Sequence, residues 1–170
     1  MNERVGLIGK MPAHGDFVRR GPASVATYLE KWLDEELGRI DPELRGAIMA
    51  ELPTWTFIAR LPAGDIAGAM CASCDRVGRL YPLLIFADRV DAAMLVARAD
   101  ALREVLSAIP ADITADALTA AASFVPNGDA AIPPPSSGSV WWQHTITDAI
   151  AFPDLPCAAD VVALLAKEPA

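Results

Sequence analysis

Residues 9 to 20 read GKMPAHGDFVRR and gather Gly9, Lys10, His14, Gly15, Asp16, Arg19 and Arg20 in one short stretch. Residue types like these invite three kinds of chemistry. Gly9 and Lys10 imitate the end of a phosphate-binding loop, in which glycines let backbone amides face phosphate, a lysine bridges it and a hydroxyl holds magnesium. The match stops there, because Arg4 stands where the first glycine belongs and Met11 where the hydroxyl belongs. Gly6 and Gly9 also fall short of a dinucleotide fingerprint, since Met11, Pro12 and a further turn at His14 and Gly15 follow them instead of a helix. His14 and Asp16 could act as a general base and its orienting carboxylate, with Lys10 beside them, in a small hydrolase or nucleotide-binding enzyme. Such groups normally converge from distant segments onto a third residue that performs the chemistry. No S-x-x-K, G-x-S-x-G or H-E-x-x-H pattern occurs to supply it. A carboxylate after a glycine turn can equally accept backbone amides or pair with an arginine, so Asp16 is expected to fix the shape of its loop.

Cys71 and Cys74 form C-x-x-C, half of a zinc site. The other half is missing, for only Cys157, His14 and His144 remain as ligands and no second close pair exists. Residues three apart on a strand point to opposite faces, and a thioredoxin-like motif would need a helix where Asp75 to Gly78 read as a turn. Three cysteines without a secretory context are expected to be reduced core residues, with no cofactor or metal. Trp141 and Trp142 are adjacent, so on a strand they face opposite ways. Whichever pointed outward would be a candidate interaction anchor. Cover by helices on both faces is the alternative.

The elements that would position these residues emerge from periodicity. Val5 to Gly9 reads as a short first strand. After Pro22, the apolar positions Val25, Tyr28, Leu29, Trp32, Leu33, Leu37 and Ile40 recur every three or four residues and predict a helix with one buried stripe. Asp41 and Pro42 start a second, shorter helix through about Ala50. Thr54 to Leu61, Ile66 to Ser73 and Leu80 to Ala87 read as three strands separated by turns, which predicts an antiparallel meander. A helix with Asp91 as its cap ends near Pro110, and an alanine-rich one runs from Thr114 to Ser123. Residues 126–139 hold PPPSSGS and predict a long exposed loop. Val140 to Gln143 and Ala149 to Phe152 predict two more strands, and Pro156 to Lys167 a closing helix. The 170 residues are therefore expected to form one α/β domain, 53% hydrophobic by composition, with a mainly antiparallel or mixed sheet flanked by helices.

Charge narrows the function classes. The formal net charge is -8, which argues against general binding to nucleic acid or anionic membranes. No Lys or Arg lies between Arg103 and Lys167, a span that holds Asp112, Asp116, Asp129, Asp148, Asp154 and Asp160. Positive charge gathers instead at Arg19 and Arg20 and at Arg76 and Arg79, a pattern that can steer a protein partner. The apolar run before Lys10 is too short for a signal peptide and no run suits a membrane span, so a cytoplasmic protein is expected.

Three separated stretches, GKMPAHGDFVRRG, SCDRVGRLYPLLIFA and SSGSVWW, together resemble the signatures of the TagF (also ImpM) family of type VI secretion-associated proteins. The resemblance spans nearly the whole chain. Residue by residue, it covers Gly9, Lys10, Pro12, Gly15, Asp16, Phe17, Arg19 and Arg20, then Asp75, Arg76, Gly78, Arg79 and Pro82, then Trp141 and Trp142. His14 and the cysteines lie outside the pattern. The resemblance implies a three-layer α/β fold and a cytoplasmic, non-enzymatic accessory protein. It further implies a negative regulator that acts after translation by binding a forkhead-associated-domain scaffold protein, although a structural subunit of the secretion apparatus is the neighbouring alternative. Some relatives carry a fused serine/threonine phosphatase, which a chain of 170 residues is expected to lack. The residues of the first two motifs are candidates for partner binding or for locking loops, with Asp16 or Asp75 paired to Arg19, Arg76 or Arg79.

Overall fold

The computed structural model describes residues 2–124 and 138–166. The described elements are seven strands and five α-helices. β1 (Arg4–Gly9) is apolar because it lies inside the sheet, with five of its six residues buried. β2 (Val18–Arg20) doubles back on it as an edge strand. After α1 (Ala23–Gly38) and α2 (Pro42–Glu51) come the meander strands β3 (Trp55–Leu61), β4 (Gly64–Cys71) and β5 (Leu83–Asp88). The chain continues through α3 (Leu95–Ser107) and α4 (Ala115–Phe124) to β6 (Ser139–Trp142), β7 (Ile150–Phe152) and α5 (Ala158–Ala166). The strand order is β2-β1-β5-β4-β3-β6-β7 and every neighbouring pair is antiparallel, which removes the mixed-sheet alternative among the described residues.

Local chemistry sets the boundaries. Asp41 caps α2, its Oδ1 accepting the amides of Glu43 at 3.1 Å and Leu44 at 3.4 Å, while Pro42 occupies the first helical position where no amide is needed. Asp91 accepts the Ala93 amide at 2.9 Å and so caps a single 3₁₀ turn, Ala92–Met94, that leads into α3. β2 is the element that sequence periodicity misses. Three residues are too few to establish an alternation, and its pairing with β1 through Leu7 and Arg20, Ile8 and Arg19, and Gly9 and Val18 is a tertiary fact. The loop expected at residues 126–139 lies, apart from Gly138 and Ser139, outside the described residues.

Alternating residues of β1 and β3 to β6 enter different apolar clusters, as the two-residue period of a strand requires. Ile8, Phe57, Leu84, Phe86 and Trp141 pack with Val25, Leu29, Leu33 and Leu37 of α1, Ile48 of α2 and Val161 of α5. Leu7, Leu83 and Ile85 pack with Leu102 and Leu106 of α3 and Leu118 of α4. Ile58 and Trp142 meet Leu95, Val96 and Ala99. The cysteines depart from expectation. Cys71 and Cys74 are half-buried and Cys157 is exposed at the start of α5, with its Sγ 3.1 Å from Asp160 Oδ2, so the third thiol is not a core residue. Its flanking prolines and aspartates place it on a solvent-facing connection that composition alone does not reveal.

Candidate functional site

Antiparallel pairing of β1 with β5 puts Gly9 opposite Leu83 and Cys71 opposite the same residue from β4. The loop that leaves β1 and the turn that precedes β5 therefore emerge at one end of the sheet. Gly9 makes the approach possible. Its φ is +128°, and a Cβ there would lie 2.0 Å from the carbonyl oxygen of Pro82, so only glycine lets the two segments run this close.

Asp75 organises the turn. Its Oδ1 accepts the amides of Val77 at 3.1 Å and Arg79 at 2.9 Å. Its Oδ2 receives Arg79 Nε at 2.6 Å and lies 3.6 Å from Lys10 Nζ of the first loop. The side chain is completely enclosed. Burial raises the carboxyl's pKa, but the hydrogen bonds from Arg79 and Val77 and the charge of Arg79 outweigh it, and the net shift is downward. Gly78 closes the turn with a φ of +86° and donates its amide to the Asp75 carbonyl at 3.0 Å.

The two motifs are stitched together through backbone carbonyls. Arg76 donates its amide to the His14 carbonyl at 2.8 Å and its Nη2 to the Ala13 carbonyl at 2.6 Å. Arg79 Nη2 reaches the Gly15 carbonyl at 2.8 Å, and Ser73 Oγ the Lys10 carbonyl at 2.7 Å. Arginine suits this task because its planar fork can bond a carboxylate and a carbonyl at once. Asp16 is a different case. It is exposed, and among the described residues its Oδ1 accepts only the next amide, Phe17 N, at 2.7 Å. The cross-loop arginines thus read carbonyls, and Asp75 is the carboxylate that holds Arg79. Carbonyls are the signal that sequence motifs cannot carry, since every residue has one.

His14 is held at the same junction. Its Nε2 accepts the amide of Ala115, the first residue of α4, at 2.9 Å. The lone pair that a general base would use therefore caps a helix. Beyond it, Arg20 Nε lies 2.6 Å from Asp116 Oδ1, and the pairing with Arg20, first by hydrogen bond and then by charge, lowers the Asp116 pKa. Arg19 pairs with Glu30 of α1. Both arginines of β2 thus tie neighbouring helices to the sheet edge. Phe17 packs edge-on against Tyr81 at 5.3 Å between ring centroids, and the Tyr81 hydroxyl donates to Asp34 Oδ1 at 2.7 Å, fastening the junction to α1. Pro12 is exposed on the outer side of the loop.

The double tryptophan lies apart from this junction, on β6. Trp141 stacks on Phe57 at 4.4 Å and donates Nε1 to Ser139 Oγ at 2.9 Å. Trp142, on the other sheet face, donates Nε1 to Asp100 Oδ1 of α3 at 2.9 Å. Both indoles are fully buried, so neither is the exposed anchor that adjacency left open. Among the described residues no group of three His, Cys, Asp or Glu is placed to hold a metal ion, and no helix is long and apolar enough to cross a membrane.

Residues 6–131 match the family of the TagF N-terminal domain, type VI secretion system-associated. The chain belongs to the TagF family. The family-matched span of this TagF-family chain contains both motifs of the junction, while the double tryptophan lies beyond it. The crystal structure of PA0076 from Pseudomonas aeruginosa PAO1 superimposes with a TM-score of 0.69 at 20% identity, covering 98% of this chain and 96% of that one. At that identity the likeness bears on the fold. A comparison with curated proteins finds no match.

Proposed function

We propose that this TagF-family chain is a non-enzymatic, cytoplasmic accessory protein of the type VI secretion system. It acts after translation as a negative regulator by binding a forkhead-associated-domain scaffold protein. The helices on either side of the sheet are read as its two outer layers. The observation that carries the proposal is the employment of the residues that looked catalytic. The His14 lone pair receives a helix amide, both oxygens of Asp75 are engaged, and Arg76 and Arg79 hold carbonyls of the first loop. Such groups build a rigid surface of fixed shape, which suits recognition of another protein better than proton transfer.

Two measurements test this reading. Deleting the gene should raise secretion through the apparatus, and supplying extra copies should lower it; abolished secretion on deletion would instead mark a structural subunit. Purified chain and purified scaffold should bind in a calorimetric titration. A titration without heat or affinity, or hydrolysis of a nucleotide or ester that disappears in His14→Ala, would overturn the proposal.

A further inference from the structure

Among the described residues, large apolar side chains are exposed at four places, and two of them share one turn: Val77 at 72% and Leu80 at 38% of full exposure. Gly78, Arg76 and Arg79 beside them are exposed as well. Exposed apolar side chains on a solvent-facing turn do nothing for the chain's own stability. This turn, however, is firmly held. Asp75 beneath it takes two amides and one guanidinium, and Arg76 and Arg79 are anchored to the neighbouring loop at 2.6 and 2.8 Å. The result is a preformed knuckle with an apolar crest and two fixed guanidinium groups.

We infer that residues 76–80 form the contact element of this surface and that their occupant is an acidic segment of another protein carrying an apolar side chain among its carboxylates. The inference deepens the reading of the chain as a protein-binding regulator by giving the contact element and the chemistry it selects. Charge complementarity picks the occupant. Arg76 has no carboxylate partner among the described residues, and Lys10 and Arg79 together face the single carboxylate of Asp75. With the exposed Asp16 of the first loop counted too, Lys10, Arg76 and Arg79 outnumber the carboxylates of Asp16 and Asp75, so the knuckle is a local positive site on a chain of net charge -8. A nucleic acid, an anionic lipid surface or a second copy of this acidic chain brings negative charge against the whole face, whereas a short acidic segment presents its carboxylates at the knuckle alone. Anchored guanidinium groups lose little freedom on meeting a carboxylate, and Val77 and Leu80 would be covered by the apolar side chain between the acids.

The test uses the full chain and defined probes. Amide chemical shifts of labelled protein are monitored on adding a short peptide in which leucine is flanked by aspartate and glutamate. Two control peptides carry serine in place of leucine, or lysine in place of the acids. The expected result is saturable shifts confined to residues 76–80 and the adjoining Lys10–Asp16 loop. The serine peptide should bind about tenfold more weakly and the lysine peptide not at all, a factor that corresponds to about 1.4 kcal/mol. Val77→Ser, which leaves the Asp75 network its backbone donors, should weaken the acidic peptide by a similar factor while the remaining spectrum stays unchanged. Arg76→Glu should abolish the shifts. Shifts elsewhere, equal binding of all three peptides, movement of the same amides on raising protein concentration alone, or their loss on phosphatidylserine vesicles but not on peptide would each overturn the inference. Failure to bind the scaffold protein would overturn the regulatory reading and leave the peptide result standing, so the two can fail separately.

Discussion

Three motif glycines, each replaced by alanine, should behave in three different ways. At Gly9 the new Cβ would stand 2.0 Å from the Pro82 carbonyl oxygen and 3.0 Å from the Leu83 Cα, both backbone atoms of the segment entering β5, and the residue has a φ of +128°. A non-glycine residue in such a region costs about 1–3 kcal/mol by itself. The clash adds to it, because backbone held in a sheet cannot move aside as a flexible side chain can. Relief requires opening the pairing of Gly9 with Leu83, so a total above about 3 kcal/mol is expected. At Gly78 the φ is +86° but nothing lies within 4 Å of the added atom, which leaves the conformational cost alone, about 1–2 kcal/mol. At Gly15 nothing lies within 4 Å and the backbone is outside the left-handed region, so the change should stay within about 0.5 kcal/mol.

Thermal unfolding of the three variants reads this series directly. For a domain of this length, about 1 kcal/mol corresponds to a melting shift of roughly 2–4 °C, so Gly9→Ala should melt at least about 6 °C lower and Gly15→Ala should be indistinguishable from the parent. A Gly9→Ala protein as stable as Gly15→Ala would refute the close approach of β1 to β5. The junction of the two motifs would lose its geometric basis with it.

Asp75→Asn keeps the shape of the side chain but removes the charge that faces Lys10 and Arg79, and it should lower both the urea midpoint and the ordering of residues 76–80 seen by amide exchange. Because the folded pKa of Asp75 is depressed, its stabilisation is complete above the unfolded value near 3.8 and is lost as pH falls through the lower folded value; the parent's stability should therefore drop below about pH 4 more steeply than that of the variant. Thiol alkylation provides an independent check. Burial pushes the Cys71 thiol up to about 12, so at mildly alkaline pH it should react far more slowly than the exposed Cys157, and mass spectrometry after a timed iodoacetamide pulse separates the two.

The helices and the meander are legible in the sequence because each carries its own signal. Val25 to Ile40 repeat at helical spacing, Asp41 and Pro42 open the second helix, and short turns divide three apolar runs. Strand pairings outside the meander escape such signals. β2 has three residues and exists because β1 is there to pair with it. The site shows the same division. Residue types mark Asp75, Arg76 and Arg79 as a set, but their partners across the junction are the carbonyls of Ala13, His14 and Gly15, which no side-chain pattern encodes. Lys10 and Asp75 stand 65 positions apart, and only the strand order makes them a pair.

Energetics explain why the junction concentrates these residue types. A loop and a turn that leave a sheet at the same end must satisfy many backbone groups away from regular pairing, and each unsatisfied one costs about 1–3 kcal/mol when buried. Glycine allows the approach, an enclosed carboxylate gathers amides and cations, arginine forks reach carbonyls, and a histidine nitrogen takes a helix amide. These are also the residue types that catalysis recruits, for the same reason: they hold several polar contacts in fixed directions. At the junction the lone pairs of His14 Nε2 and Asp75 are engaged inside, and the exposed residues are Pro12, Gly15 and Asp16 of the first loop and Arg76, Val77, Gly78, Arg79 and Leu80 of the turn. The inward network holds the outward cations and apolar side chains in one conformation, which is the property that the proposed recognition of a partner by charge and shape would use.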